Sequence, residues 1–334
     1  MQPILKFKPI YKDKIWGGRK LETILGRTIP EGNIGESWEV SDYGQDLSII
    51  ENGILKGKTF REVYKSHTQE ILGDVFKSSE DFPLLVKIID AKDKLSVQVH
   101  PDNEYAAKKD PESSGKKEAW FILATDPGAE IVCGFSESLT RERYAELIAS
   151  NQAESCLQSV KAKLGDAFMI NPGTVHAIGG GNLLLEVQQS SDSTYRVYDY
   201  GRLGDDGKPR KLHLEKALDV LNFKKSSGEE IIQPQNVGWE NGTRKILAAN
   251  DKFRLEVLEF GGETSIPCPS KEKVFQIVHV LFGECETNSE RFQTGDTFLI
   301  TAQGMKQDLI FKTISKEVRI AVMGVGTDWV TFLI

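Results

Sequence analysis

The chain has 334 residues, with 42 Lys and Arg against 49 Asp and Glu, a net charge of -7 and 39% hydrophobic residues. That length accommodates about two domains with cores of their own, and the interleaved acids and bases form no basic stripe of the kind a nucleic-acid partner requires. No apolar run approaches the ~20 residues that cross a bilayer, no apolar signal core opens the chain, and the four cysteines (Cys133, Cys156, Cys268, Cys285) have no CxxC spacing, so a cytoplasmic protein with reduced thiols is expected.

Residues 1–50 read as short strands and turns, among them Trp16-Gly17-Gly18, a Pro-Glu-Gly turn at 30–32 and SWEVSD at 37–42. The two tryptophan stretches indicate tight turns and buried indoles and are assigned a structural role. Thr59 and Glu62 have the spacing of a capping box. They open a helix with Phe60, Val63, Tyr64, His67, Ile71 and Leu72 along one face, so His67 is expected to be a partly buried packing residue. Strands follow over 84–90, 95–100 and 118–124, a helical pattern runs from Thr140 to about Ser150, and a second continues to Val160. Strands resume at 165–171 and 183–200. Leu214, Leu218 and Leu221 mark a short helix with His213 on its solvent side or at its cap. The polar segment 224–243 is the linker expected from its Ser, Gly, Pro and Asn content.

Residues 244–334 are almost all strand-like. Gly295-Asp-Thr-Phe-Leu-Ile echoes Gly165-Asp-Ala-Phe-Met-Ile, which suggests a duplicated barrel. The second copy has Ala302-Gln303-Gly304 and Gln307 where the first has Pro172-Gly173 and His176, so it is expected to lack a metal, and His279 is read as structural. The domains are accordingly 1–223, the linker 224–243, and 244–334.

Three stretches carry the chemistry: LSVQVHPD (95–102), GKKEAW (115–120) and GDAFMINPGTVH (165–176). Strand alternation sends Ser96, Gln98 and His100 to one face. With Glu118 and His176, Gln98 and His100 make a His/His/Glu/Gln set of the kind that oxygen- and nitrogen-preferring divalent cations use. A weak neutral donor beside three stronger ones marks a catalytic rather than a closed structural site. Lys87, inside the apolar run LLVKII, is costly to bury unless paired or turned into a cavity. In STYRVYDY, alternation places Thr194, Arg196 and Tyr198 together.

The order of these pieces resembles the two-part motif of the cupin barrels. Together with PLLVKIIDAKDKLSVQVHPDNEYA (83–106), HAIGGGNLLLEVQQSSDSTYRVYDYGR (176–202), KIWGG and GESWEVSD, it resembles the type I mannose-6-phosphate isomerases, densely over the first two thirds of the chain and loosely after that. The resemblance implies a mainly β fold of two cupin-type jelly-roll barrels, the second degenerate, with a few short helices. It implies a metal-dependent aldose–ketose isomerase acting on mannose 6-phosphate and fructose 6-phosphate through an enediolate, with one divalent ion, zinc by family expectation. It places Arg196, Lys116 and Asp192 in catalysis and Lys87 and Ser96 at the phosphate, with Arg202 assisting. The proton acceptor at C2 stays open between Asp192, Lys116 and a metal-bound water; Glu186 is a further candidate, or a residue that steadies a metal ligand. A lysine beside a cation and partly desolvated is expected to lose its proton nearer neutrality. The partner is a small sugar phosphate, with no nucleic acid and no membrane, in a monomer or small homo-oligomer. Two other readings are a non-catalytic cupin that senses a sugar phosphate and an iron-dependent cupin oxygenase.

Overall fold

A computed structural model describes residues 1–204 and 207–332. The strand Leu84–Ala91 is buried along its whole length, and its alternation explains why. Leu84, Val86 and Ile88 join one core while Ile89 and Ala91 join another, so both faces are covered. Among the described residues it belongs to a six-stranded sheet in the order 167–170, 118–125, 182–189, 84–91, 10–18, 34–40. One face of this sheet packs on the five-stranded sheet 157–161, 130–135, 176–178, 97–99, 195–198 through Trp16, Ile89, Trp120, Ile131, Phe168 and Ile178. The other face packs on an eight-stranded sheet through Val86, Phe121, Leu185, Leu255, Ile277 and Met323. The helices Arg141–Ala149 and Leu214–Val220 cover the outside of the five-stranded sheet.

Several local expectations hold in detail. Thr59 and Glu62 form the capping box, and the helix Phe60–Ser66 follows with Phe60, Val63 and Tyr64 buried. Thr140 caps Arg141–Ala149 by accepting from the Arg143 amide. The two GD turns are built alike. Asp166 Oδ2 accepts from the Lys163 amide at 2.9 Å and Asp296 Oδ2 from the Gln293 amide at 2.8 Å. Both Gly165 and Gly295 have left-handed φ, 86° and 92°. The strands that follow pair in the same register, Ile170 opposite Glu118 and Ile300 opposite Gln276. Gln276 thus stands opposite the second of these strands where Glu118 stands opposite the first.

Other expectations are corrected. His67 is exposed, because the chain bends there between Phe60–Ser66 and a second helix, Thr68–Ile71. The helical pattern towards Val160 is a short 3-10 turn, Ala153–Cys156, followed by the strand Leu157–Lys161. The run 183–200 is two strands, Asn182–Gln189 and Tyr195–Tyr198, in different sheets. The segment 224–243 is not free of the sheets: Lys225 bridges to Phe135, Ile231 bridges to Phe168, and Gln235–Val237 pairs with Gly242–Ala249. The N-terminal strand Ile4–Lys8 pairs with Thr297–Ile300, so the eight-stranded sheet draws on both ends of the chain. A two-residue reach of local pattern carries no information about such a pairing.

Candidate metal centre and cavity

Gln98 lies between two partners in the five-stranded sheet, opposite His176 on one side and Arg196 on the other. Glu118 starts a strand of the facing sheet, and His100 follows directly after Val97–Val99. His100, Glu118 and His176 are fully buried. Each imidazole is fixed by its Nδ1, which meets the Ser193 carbonyl at 2.7 Å for His100 and the Thr174 carbonyl at 2.8 Å for His176. That places the Nδ1 proton on the carbonyl side and turns the Nε2 lone pairs inward. His100 Nε2 is 3.4 Å and His176 Nε2 3.5 Å from Glu118 Oε1.

These separations suit a cation. Donors at ~2.1 Å around a tetrahedral ion stand ~3.4 Å apart, and the three donor atoms lie within 4.8 Å of one another. His100 Nε2 and Glu118 Oε1 are buried without a hydrogen-bond partner, a costly state that an ion would relieve. The Gln98 amide approaches His176 Nε2 at 3.2 Å, and turning that amide over brings its oxygen to the same point. Burial pushes His176 down to about 3, with His100 adding to the shift, and burial also lowers His100. Both imidazoles are therefore neutral ligands at physiological pH. Burial opposes ionisation of Glu118, but the ammonium of Lys116 beside it keeps the carboxylate charged.

A cavity of about 300 Å³ opens beside these donors. On the six-stranded wall it is lined by Glu186, Lys87 and Glu36; on the other by Ser96, Gln98 and Arg196. Lys116, Asp192, Lys14, Trp16 and Arg210 also reach it. Lys116 Nζ sits 2.8 Å from Glu118 Oε2. Burial works to strip its proton, but Glu118 and Glu186 outweigh burial and hold the ammonium, contrary to the expectation of a lysine titrating nearer neutrality. Glu186 is raised to about 7 by burial and by Glu118. Its Oε2 accepts from Trp120 Nε1 at 2.9 Å while Oε1 has no hydrogen-bond partner. Lys87 is 3.8 Å from Glu186 and 3.4 Å from Asp192, and stands 4.6 Å over the Trp38 ring. Asp192 is half-exposed; burial raises it, but Lys87 and Lys116 outweigh this and lower it.

On the wall that carries Gln98, Arg196 Nε donates to Ser96 Oγ at 3.3 Å and Nη1 to the Lys211 carbonyl at 2.8 Å. Arg202 is not among the residues lining the cavity, although it shares Asp199 with Arg210, which is. It donates to Asp199 at 2.7 Å and to the Lys94 carbonyl, because Tyr200 and Gly201 both take left-handed φ (59° and 69°) and reverse the chain after Asp199. Arg210 occupies the cavity position instead, its Nε donating to Asp199 at 2.7 Å. The sequence reading missed Arg210 and took KIWGG and GESWE as purely structural, yet Lys14, Trp16 and Glu36 line the cavity. A glutamate alternating with Trp38 in a strand was the available signal, of the same kind that singled out Lys87.

Residues 4–128 match the family model described as phosphomannose isomerase type I, catalytic domain. A probable mannose-6-phosphate isomerase of Bacillus subtilis is 39% identical over 263 residues, covering 79% of this chain and 82% of that protein. The mannose-6-phosphate isomerase of Streptococcus mutans is 43% identical over 224 residues, 67% of this chain and 69% of its own. The crystal structure of a mannose 6-phosphate isomerase from Bacillus subtilis superposes with a TM-score of 0.86 at 33% identity, covering 97% of this chain and 100% of that one.

Proposed function

The chain belongs to the type I phosphomannose isomerase family, and from that premise we propose that it interconverts mannose 6-phosphate and fructose 6-phosphate. The observation that carries this reading is the set of groups gathered at one cavity. Neutral imidazoles and an ionised carboxylate converge beside it, and its lining includes Glu186, a carboxyl of raised pKa, and two guanidinium groups, Arg196 and Arg210. An open-chain hexose phosphate presents a carbonyl, a C2 proton and a phosphate, one for each of these.

His100, Glu118, His176 and Gln98, a nitrogen and oxygen set that suits zinc, would hold a divalent ion, which would supply Lewis acidity towards the substrate oxygens. Glu186 is the proton acceptor: it removes the C2 proton and returns it to C1, and burial raises it above the usual carboxylate range, which strengthens it as a base. Of the other candidates, Lys116 has no free lone pair and Asp192 is weakened as a base by its pairing with Lys87. Lys116 donates to the substrate oxygens as charge moves between O1 and O2. Ser96 and Arg196, with Arg210, take the phosphate, a guanidinium fork being suited to that geometry. Lys87 serves chiefly to hold Glu186 and Asp192 in place, its charge already matched by acids.

The same reading assigns two cupin-type barrels. The paired GD turns and their shared register support a duplication, with residues 244–332 and the strand Ile4–Lys8 in the second, metal-free copy. Among the described residues no helix is long and apolar enough to cross a membrane, and the four cysteines are free, which supports a cytoplasmic setting. The test is turnover of mannose 6-phosphate by the purified protein in an assay coupled to fructose 6-phosphate, before and after chelation. Glu186→Gln should lower kcat by about 10²–10⁴ with metal content unchanged. No turnover by the metal-loaded wild type would overturn the assignment.

A further inference from the structure

The stretches KIWGG and GESWE place two charged side chains in the cavity that the reaction steps above leave unused. Glu36 Oε2 accepts from Trp38 Nε1 at 2.7 Å, and Oε1 lies 3.3 Å from Lys14 Nζ. The glutamate side chain is 13% exposed and the lysine 35%. Burial works against the charge on Glu36, but Lys87 and Lys14 outweigh it, so the carboxylate is a pure acceptor. Each oxygen keeps a lone pair after these contacts, and Lys14 keeps two of its three donors. Both residues face the same volume as Glu186 and Arg196.

Their place in the sheet fixes which part of a substrate they meet. Across the six-stranded wall, Glu118, Glu186 and Lys87 sit on successive strands, with Glu186 opposite Lys87 and Gln188 opposite Glu118. The strand of Glu36 pairs next, Glu36 opposite Ile89. Glu36 is therefore three strands from Glu118, about 14 Å across the sheet at ~4.8 Å per strand, and on the wall of the same cavity. Trp16, Ile89, Leu95 and Ile178 supply an apolar lining there, suited to the C–H faces of a sugar chain.

We propose that Glu36 and Lys14 form a hydroxyl-reading pair, Glu36 accepting from and Lys14 donating to the sugar hydroxyls between the reacting carbons and the phosphate. The inference rests on the isomerase reading. It makes the pair a determinant of substrate specificity, acting through orientation of C2 against Glu186. A buried charged acceptor deprived of its hydroxyl partner is penalised, so the pair should discriminate against sugars that lack one.

The test compares kcat/KM for mannose 6-phosphate with its 3-deoxy and 4-deoxy analogues in wild type, Glu36→Ala and Lys14→Met. In the wild type, loss of at least one of these hydroxyls should cost about 10- to 100-fold, the range for a hydrogen bond to a charged group. In Glu36→Ala that penalty should shrink to about threefold or less, and Lys14→Met should shrink it partly. Lys14→Met also serves if Glu36→Ala melts at a much lower temperature than wild type. Equal penalties in all three proteins would mean that the pair only neutralises Lys87, and the inference falls. Absence of wild-type turnover would instead overturn the isomerase reading itself, so the two failures are distinguishable.

Discussion

Replacing Lys87 with Met tests whether that lysine holds the phosphate or governs the base. Lys87 is 3% exposed, and its ammonium is 3.8 Å from Glu186 and 3.4 Å from Asp192. Even at the dielectric of bulk water, a unit charge 3.8 Å away is worth about 1 kcal/mol, and 1.36 kcal/mol is one pKa unit. At buried positions the interaction is larger, so removing it should raise Glu186, already at about 7, by about one unit or more. The sign is clear: a base must be ionised to act, so the acid limb of the kcat/KM profile should move to higher pH. Leaving buried carboxylates without their cation should also cost about 3–5 kcal/mol of stability at neutral pH. The assay is kcat/KM against pH for mannose 6-phosphate and for mannose, with thermal melting of the same preparations. The preference for the phosphorylated sugar should survive. If the preference collapses while the pH limb stays where it was, Lys87 grips the phosphate and the electrostatic reasoning is wrong.

Three further outcomes follow from particular contacts. His100→Ala or His176→Ala should reduce bound metal and activity together, with the fold retained by the sheet cores; stoichiometric metal by elemental analysis in either variant would refute the donor set. Arg27 pairs with the buried Glu39 through two hydrogen bonds of 2.7 and 2.8 Å, so Arg27→Met should cost about 3–5 kcal/mol in urea unfolding. Burial raises Glu39, but Arg27 outweighs it and holds the carboxyl below the ordinary glutamate range. Its contribution to stability should thus be present above pH ~4.5 and fade as pH falls through the lowered value, and an Arg27→Met protein as stable as wild type would refute the pair. A Cβ at Gly115 would lie 2.5 Å from the Asn103 amide nitrogen, so Gly115→Ala should displace the segment bearing Lys116 and Glu118. It should lower kcat at least tenfold, about 1.4 kcal/mol in barrier, and wild-type kcat would show that the segment tolerates the shift.

The sequence by itself determined the donor set, because ligands two residues apart on a strand and a turn that returns the second histidine are local patterns with a period of two. It also determined the capping box at Thr59, the helix after Thr140 and the repeated GD turn, each a matter of a few neighbouring residues. Only the tertiary structure decided that Lys14, Trp16 and Glu36 share a cavity with Arg196. Strands far apart in the chain meet there, and alternation says which face a residue takes but not what lies opposite. That Arg210 rather than Arg202 lines the cavity was likewise not legible in the sequence, where two left-handed residues at Tyr200 and Gly201 reverse the chain. The proposal of Glu186 as the base rests on the tertiary structure in the same way. Glu186 and Asp192 are equally carboxylates in sequence, and one is raised while the other is lowered because burial and Glu118 act on the first and Lys87 on the second.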